Sequence, residues 1–100
     1  MKILVVEPEK EAEVREIENK LEDLQKIVGG YIEVVSLGQG VTLVCDEEGK
    51  IKGKQPNWDV NGDLIVGTFF LCGSKGSDFA SLTEEQIKWC KEMTSTERDF

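Results

Sequence analysis

One hundred residues, with 39% apolar and 32% charged side chains, support one domain built on a modest core. A formal charge of −8, from 20 acidic and 12 basic residues, argues against direct nucleic-acid binding and suits neutral or basic partners. The absence of histidine removes the commonest acid–base group at neutral pH and the usual nitrogen ligand of transition metals.

The chain begins MKILVVEPEK. Its apolar part is too short for a signal peptide, and no later run reaches membrane-span length, so a cytoplasmic location without membrane contact is expected. Ile3 to Val6 is continuously apolar and β-branched, which predicts a buried strand that Pro8 ends. The following segment changes period. Val14, Ile17, Leu21, Leu24 and Val28 recur every three or four residues and predict one long helix over 9–28. Glu9, Glu11 and Glu13 near its start and Lys26 near its end suit the helix dipole, and Gly29 suits its left-handed termination.

Tyr31 to Val35 and Val41 to Cys45 read as the next two strands, with Val41, Leu43 and Cys45 sharing a face. After the turn DEEGK, Ile51 between Lys50 and Lys52 suggests a short edge strand. Leu64 to Cys72 is a second strongly apolar strand, interrupted at Gly67, in which Phe69 and Phe70 face opposite ways. SLTEEQIKWCKEM opens the last helix: Thr83 and Gln86 fit a reciprocal capping box, and Leu82 and Ile87 a hydrophobic staple. The tail over 95–100 is expected to fray unless Phe100 docks. The expected fold is a single α+β domain over 1–100, a small mixed or largely antiparallel sheet against two helices in the order β-α-β-β-(β)-β-α. Leu4, Val6, Ile17, Leu21, Leu24, Val44, Val66, Phe69 and Ile87 are its expected core.

Chemistry is sparse. Three widely spaced cysteines make no metal motif and are expected to be buried thiols without a disulfide. Serine or cysteine catalysis would need a base other than histidine. Asp59 and Asp63, with Asn57 and Asn61 nearby, faintly suggest an oxygen-ligand loop but lack the calcium-loop order, so neither metal nor cofactor is expected. The candidate site is Asn57 and Trp58, following Pro56 in a turn-rich segment. Trp58 either covers the domain's own core, the preferred reading, or anchors a partner.

The strings Val28-Gly29-Gly30-Tyr31-Ile32-Glu33 and Ile65-Val66-Gly67-Thr68-Phe69 carry a resemblance that spans approximately residues 1 to 90. They resemble a domain-of-unknown-function family (family 3846) of small bacterial, phage and mobile-element proteins. The resemblance supplies no catalytic residues. Similar proteins usually carry a basic residue after Asn57, where this chain has Trp58. What the resemblance implies is a small accessory protein of the host–phage or plasmid interface.

The leading expectation is therefore a non-enzymatic accessory protein that acts by protein interaction, with Asn57 and Trp58 as partner-binding residues. Two alternatives stand beside it. One is a small-ligand binder or enzyme using the Asn57 to Asp63 loop. The other is a self-associating structural protein using the Phe69/Phe70 strand or the helical stripe, which makes a homo-oligomer the expected assembly in that case.

Overall fold

The computed structural model describes residues 1–95. The tail expected to fray, with Phe100, lies outside the described residues apart from Ser95. The elements are β1 (Lys2–Val6), β2 (Glu13–Glu16), α1 (Leu21–Val28), β3 (Ile32–Gly38), β4 (Val41–Asp46), β5 (Pro56–Val60), β6 (Asp63–Val66), β7 (Phe69–Lys75), β8 (Asp78–Ala80) and α2 (Glu84–Ser95).

The main sheet runs β2-β1-β7-β4-β3, with β8 paired to the far end of β7 beyond β1. Every strand pairing among the described residues is antiparallel. Alternation along the central strands sends side chains into two separate cores. Leu4, Val6, Val41, Leu43, Cys45, Phe69 and Leu71 face α2 and the β5–β6 hairpin. Ile3, Val5, Val44, Phe70 and Cys72 face α1, which covers them with Leu24 and Val28. The sheet is thus the middle of three layers. Phe69 and Phe70 are both fully buried because both faces are covered. The α+β class holds.

The long first helix does not. Only Leu21–Val28 is helical, and Glu13–Glu16 is an edge strand on β1 that sets Val14 opposite Leu4 and Arg15 opposite Ile3. Helical spacing would place Glu9 and Glu13 on neighbouring turns with like charges, whereas pairing to β1 satisfies the open ladder of a buried strand. The amide of Ile17 donates to Met1 O at 2.9 Å, closing that hairpin. Leu21 is consequently 56% exposed, so the loss expected for truncating a buried leucine does not apply there. Ile17 and Ile87 are half-buried at the margins of the two cores, and the other expected core residues are buried.

Three further differences arise beyond β4. Ile51 lies in a turn, 86% exposed, and not in a strand. The segment read as a loop around Asn57 and Trp58 is β5, which forms a hairpin with β6. Its turn is Asn61-Gly62, both at positive φ (52° and 87°), the two-residue connection whose twist matches antiparallel strands. The long apolar run then divides at Gly67 (φ 72°): β6 belongs to the hairpin and β7 to the main sheet. A second hairpin follows, in which β7 pairs with β8 and Lys75 stands opposite Asp78.

The last helix begins as expected. The Gln86 amide donates to Thr83 Oγ1 at 3.1 Å, and the Thr83 amide donates to Gln86 Oε1 at 2.9 Å. Leu82 is buried at the staple position. Thr83→Ala is expected to cost about 0.5–2 kcal/mol in equilibrium unfolding with the far-ultraviolet spectrum unchanged. A loss of less than about 0.3 kcal/mol would show that the box contributes nothing.

Candidate functional site

The most concentrated polar chemistry lies where β4 ends. Strand alternation turns Asp46 onto the α1 side, and its carboxylate is fully buried. Its Oδ2 accepts from Lys52 Nζ at 2.9 Å and from Lys54 Nζ at 2.7 Å, while Oδ1 accepts the Glu48 amide at 2.9 Å. The same ammonium groups reach the end of α1. Lys54 donates to Val28 O at 2.8 Å and Lys52 to Gly29 O at 3.1 Å, where the helix leaves carbonyls unpaired and its dipole is negative. The arrangement ties α1, β4 and the following loop together.

Glycines make room for it. A Cβ on Gly30 would stand 2.6 Å from both Asp46 Oδ1 and Lys52 Nζ, and one on Gly67 would stand 2.7 Å from Lys54 Cδ. Gly29 closes α1 in the left-handed region at φ 80°. The two strings that carried the family resemblance therefore meet in space around Lys54.

Burial by itself would raise the Asp46 pKa. The hydrogen bonds from Lys54, Lys52 and the Glu48 amide outweigh it and bring the carboxyl down to about 2. This carboxylate is held ionised, contrary to what a general acid needs.

Asn57 lies just beyond, fully buried. Its Nδ2 donates to Val6 O at 2.9 Å and to Gly67 O at 2.8 Å, bridging the end of β1 to the chain reversal between β6 and β7. Trp58 is 4% exposed and stacks on Phe69, with ring centroids 5.7 Å apart and planes 16° from parallel. The indole covers the core, as the preferred reading had it. The structure brings Asn57 and Trp58 together as the buried root of the hairpin, with neither side chain presented at the surface.

The carboxylates of the loop have local work. Asp59 Oδ1 accepts the Gly62 amide at 2.7 Å within the hairpin turn, and Asp63 pairs with Lys50 at 3.1 Å. A shallow depression of about 70 Å³ lies between Glu33, Cys45, Glu47, Lys50 and Asp63; neither Asn57 nor Trp58 lines it. The Cys45 thiol beside it is raised to about 11 by burial first, then by Glu33, Asp63 and Asp46, so it stays protonated at neutral pH. Burial raises Cys72 to about 12 and Cys90 to about 11. All three thiols are free and buried, as expected. Among the described residues no cluster of acidic or cysteine side chains could hold a metal ion, and no helix is long and apolar enough to cross a membrane.

Sequence reasoning missed Asp46, Lys52 and Lys54. Asp46 reads as the first residue of a polar turn, Lys52 as a guard of an edge strand, and Lys54 as the start of a polar, turn-rich segment. Nothing local pairs them across six and eight positions. The hairpin was accessible, since Asn61-Gly62 between apolar residues is a strong signal for it.

Fold and site together define a three-layer α+β domain whose densest polar cluster is an ionic clamp on a helix end, not a catalytic constellation. Residues 1–95 match the profile of the family described as Domain of unknown function (DUF3846), and the chain belongs to that family. No curated protein and no solved structure shows a match to it.

Proposed function

We propose that this protein is a small non-catalytic accessory protein of a bacterial, phage or mobile-element system that works by contacting another protein. The observation that supports this reading is Ile51, 86% exposed on a turn that is itself rigidly held. Lys52 N donates to Glu48 O at 3.0 Å, Gly53 N to Lys50 O at 3.1 Å and Lys54 N to Gly49 O at 3.0 Å. Lys52 and Lys54 then fasten the turn to Asp46 and the end of α1. Tyr31, 66% exposed, stands at the same end of the domain, its carbonyl accepting the Glu47 amide at 2.8 Å.

An isoleucine fixed in water gains nothing for the free chain, whereas a partner that buries it recovers the cost of its hydration. Because the turn is already ordered, little conformational freedom is lost on binding. Tyr31 adds an amphipathic aromatic surface of the kind that dominates recognition. In this reading Ile51 and Tyr31 supply the contact atoms, and Asn57 and Trp58, buried at the root of the hairpin, supply none. Flanking Lys50 and Lys52 against Glu47 and Glu48 give the rim mixed charge, which favours specificity over tight nonspecific adhesion.

The test compares wild type with Ile51→Asp as bait in host extract, followed by a titration with the purified captured protein. Loss of about tenfold or more in affinity, with an unchanged unfolding midpoint, is the expected result. Equal affinity of the two baits, or no captured protein in either case, would overturn it.

A further inference from the structure

We propose a second, independent surface: two copies of this chain join their sheets through β3, antiparallel and centred on Val34. The ladder phase carries the argument. Tyr31 and Glu47 are opposite one another in the β3–β4 alignment, and the Glu47 amide donates to Tyr31 O at 2.8 Å. Bonded pairs recur every second residue in an antiparallel ladder, so Glu33 with Cys45 and Val35 with Leu43 turn their main-chain groups toward β4. Ile32, Val34 and Ser36 therefore aim their N–H and C=O groups outward. Among the described residues β3 pairs only with β4, leaving those groups at an open edge.

The regular part of that edge is symmetric. The register breaks between Ser36 and Gly38, so the outward-bonding residues of the unbroken segment are Ile32, Val34 and Ser36. In a second antiparallel copy, Val34 meets Val34 and Ile32 meets Ser36. Every outward donor of the segment then finds an acceptor, and each sheet keeps its α1 face on the same side. A shift of one residue would mismatch the faces.

Side chains agree with this register. Val34 is 50% exposed on the α1 face and would be covered by its own copy. Glu33 is the only charged residue of β3, and it falls opposite Val35, not opposite another Glu33. The opposite edge lacks these features. β2 is four residues long and carries Glu13, Arg15 and Glu16, the kind of charge that guards an edge from pairing. A charge of −8 on each copy opposes association, so pairing through β3 strengthens as salt screens it.

Sedimentation equilibrium of the full chain over a range of concentrations, at low and high salt, reads the proposal directly. The expected mass moves from 11.2 kDa toward twice that value as concentration and salt rise. Val34→Lys, which sets like charges against each other at the axis, is expected to stay monomeric; so is Ser36→Pro, which removes an outward donor that β4 does not use. The two variants fail to fold for different reasons if at all, and each is read only after its unfolding transition matches that of wild type at low concentration and low salt, where both are monomeric. Hydrogen exchange supplies a readout on wild type alone: the Val34 amide slows at high concentration. A wild type that is monomeric throughout, a dimer that survives both folded variants, or protection of β3 only when a foreign protein is added would overturn the proposal. Ile51→Asp leaves this equilibrium unchanged, so failure here is distinguishable from failure of the partner-binding reading.

Discussion

Trp58→Ala is expected to lower the unfolding free energy by about 3–5 kcal/mol, the largest loss predicted for a single truncation in this chain. The indole is 4% exposed, lies flat on Phe69 and belongs to the core shared by β4, β7, the hairpin and α2. Removing it opens a cavity that the hairpin cannot easily fill. Trp58 pairs with Ile65 in the hairpin register, and Asn57 beside it is pinned to Val6 O and Gly67 O. The backbone is therefore held at the place where collapse would have to occur. Urea unfolding followed by circular dichroism checks the magnitude, and a loss below about 1 kcal/mol would mean that the indole contributes little to the core. Binding per folded molecule at the Ile51 surface should be retained, since Trp58 is not among its contact atoms.

Asp46→Ala comes next, with an expected loss of about 3 kcal/mol. The substitution removes the shared counter-charge of Lys52 and Lys54, whose side chains are 40% and 25% exposed. Both ammonium groups retain one helix carbonyl each, and Lys52 can turn toward water, which keeps the cost from rising further.

The same carboxylate predicts an acid limb. Its pKa is about 2 in the folded chain against an ordinary value of 3.8, so on acidification the unfolded chain takes up the proton first. The contribution is complete above the ordinary pKa and fades as the pH falls through 4 toward 2. Its size is roughly 2 kcal/mol, from the displacement of the pKa. Urea midpoints between pH 6 and pH 2 should fall more steeply for wild type than for Asp46→Asn. Parallel pH profiles would show that the clamp is not what acid releases.

Much of this fold was legible from short-range pattern. Ile3 to Val6 and Val41 to Cys45 are strands because their β-branched and apolar residues need cover on both faces, and the structure covers both. Thr83 and Gln86 cap α2 through atoms three residues apart, an arrangement settled within one turn of chain. The buried thiols and the opposed burial of Phe69 and Phe70 follow from the same local logic.

Where local pattern misled, a distant element had decided the outcome. Val14 and Ile17 fit a helical stripe, yet the unsatisfied ladder of β1 recruits Glu13–Glu16 as a strand, and a stripe carries no information about that vacancy. Leu21 reads as core and stands in water for the same reason. Asp46, Lys52 and Lys54 are ordinary turn residues in sequence. Only the packing of α1 across the sheet brings the helix carbonyls over a buried carboxylate and makes the cluster. Asn57 and Trp58 were visible as unusual residues, but which way they point depends on the hairpin folding over Phe69. Composition and periodicity thus determined the class, the strands β1, β3 and β4, the apolar run that holds β6 and β7, and the last helix, since those depend on neighbours along the chain. Tertiary structure decided the length of α1, the ionic clamp and the exposed surfaces, because each depends on which distant groups compete for the same hydrogen bonds and the same cover from water.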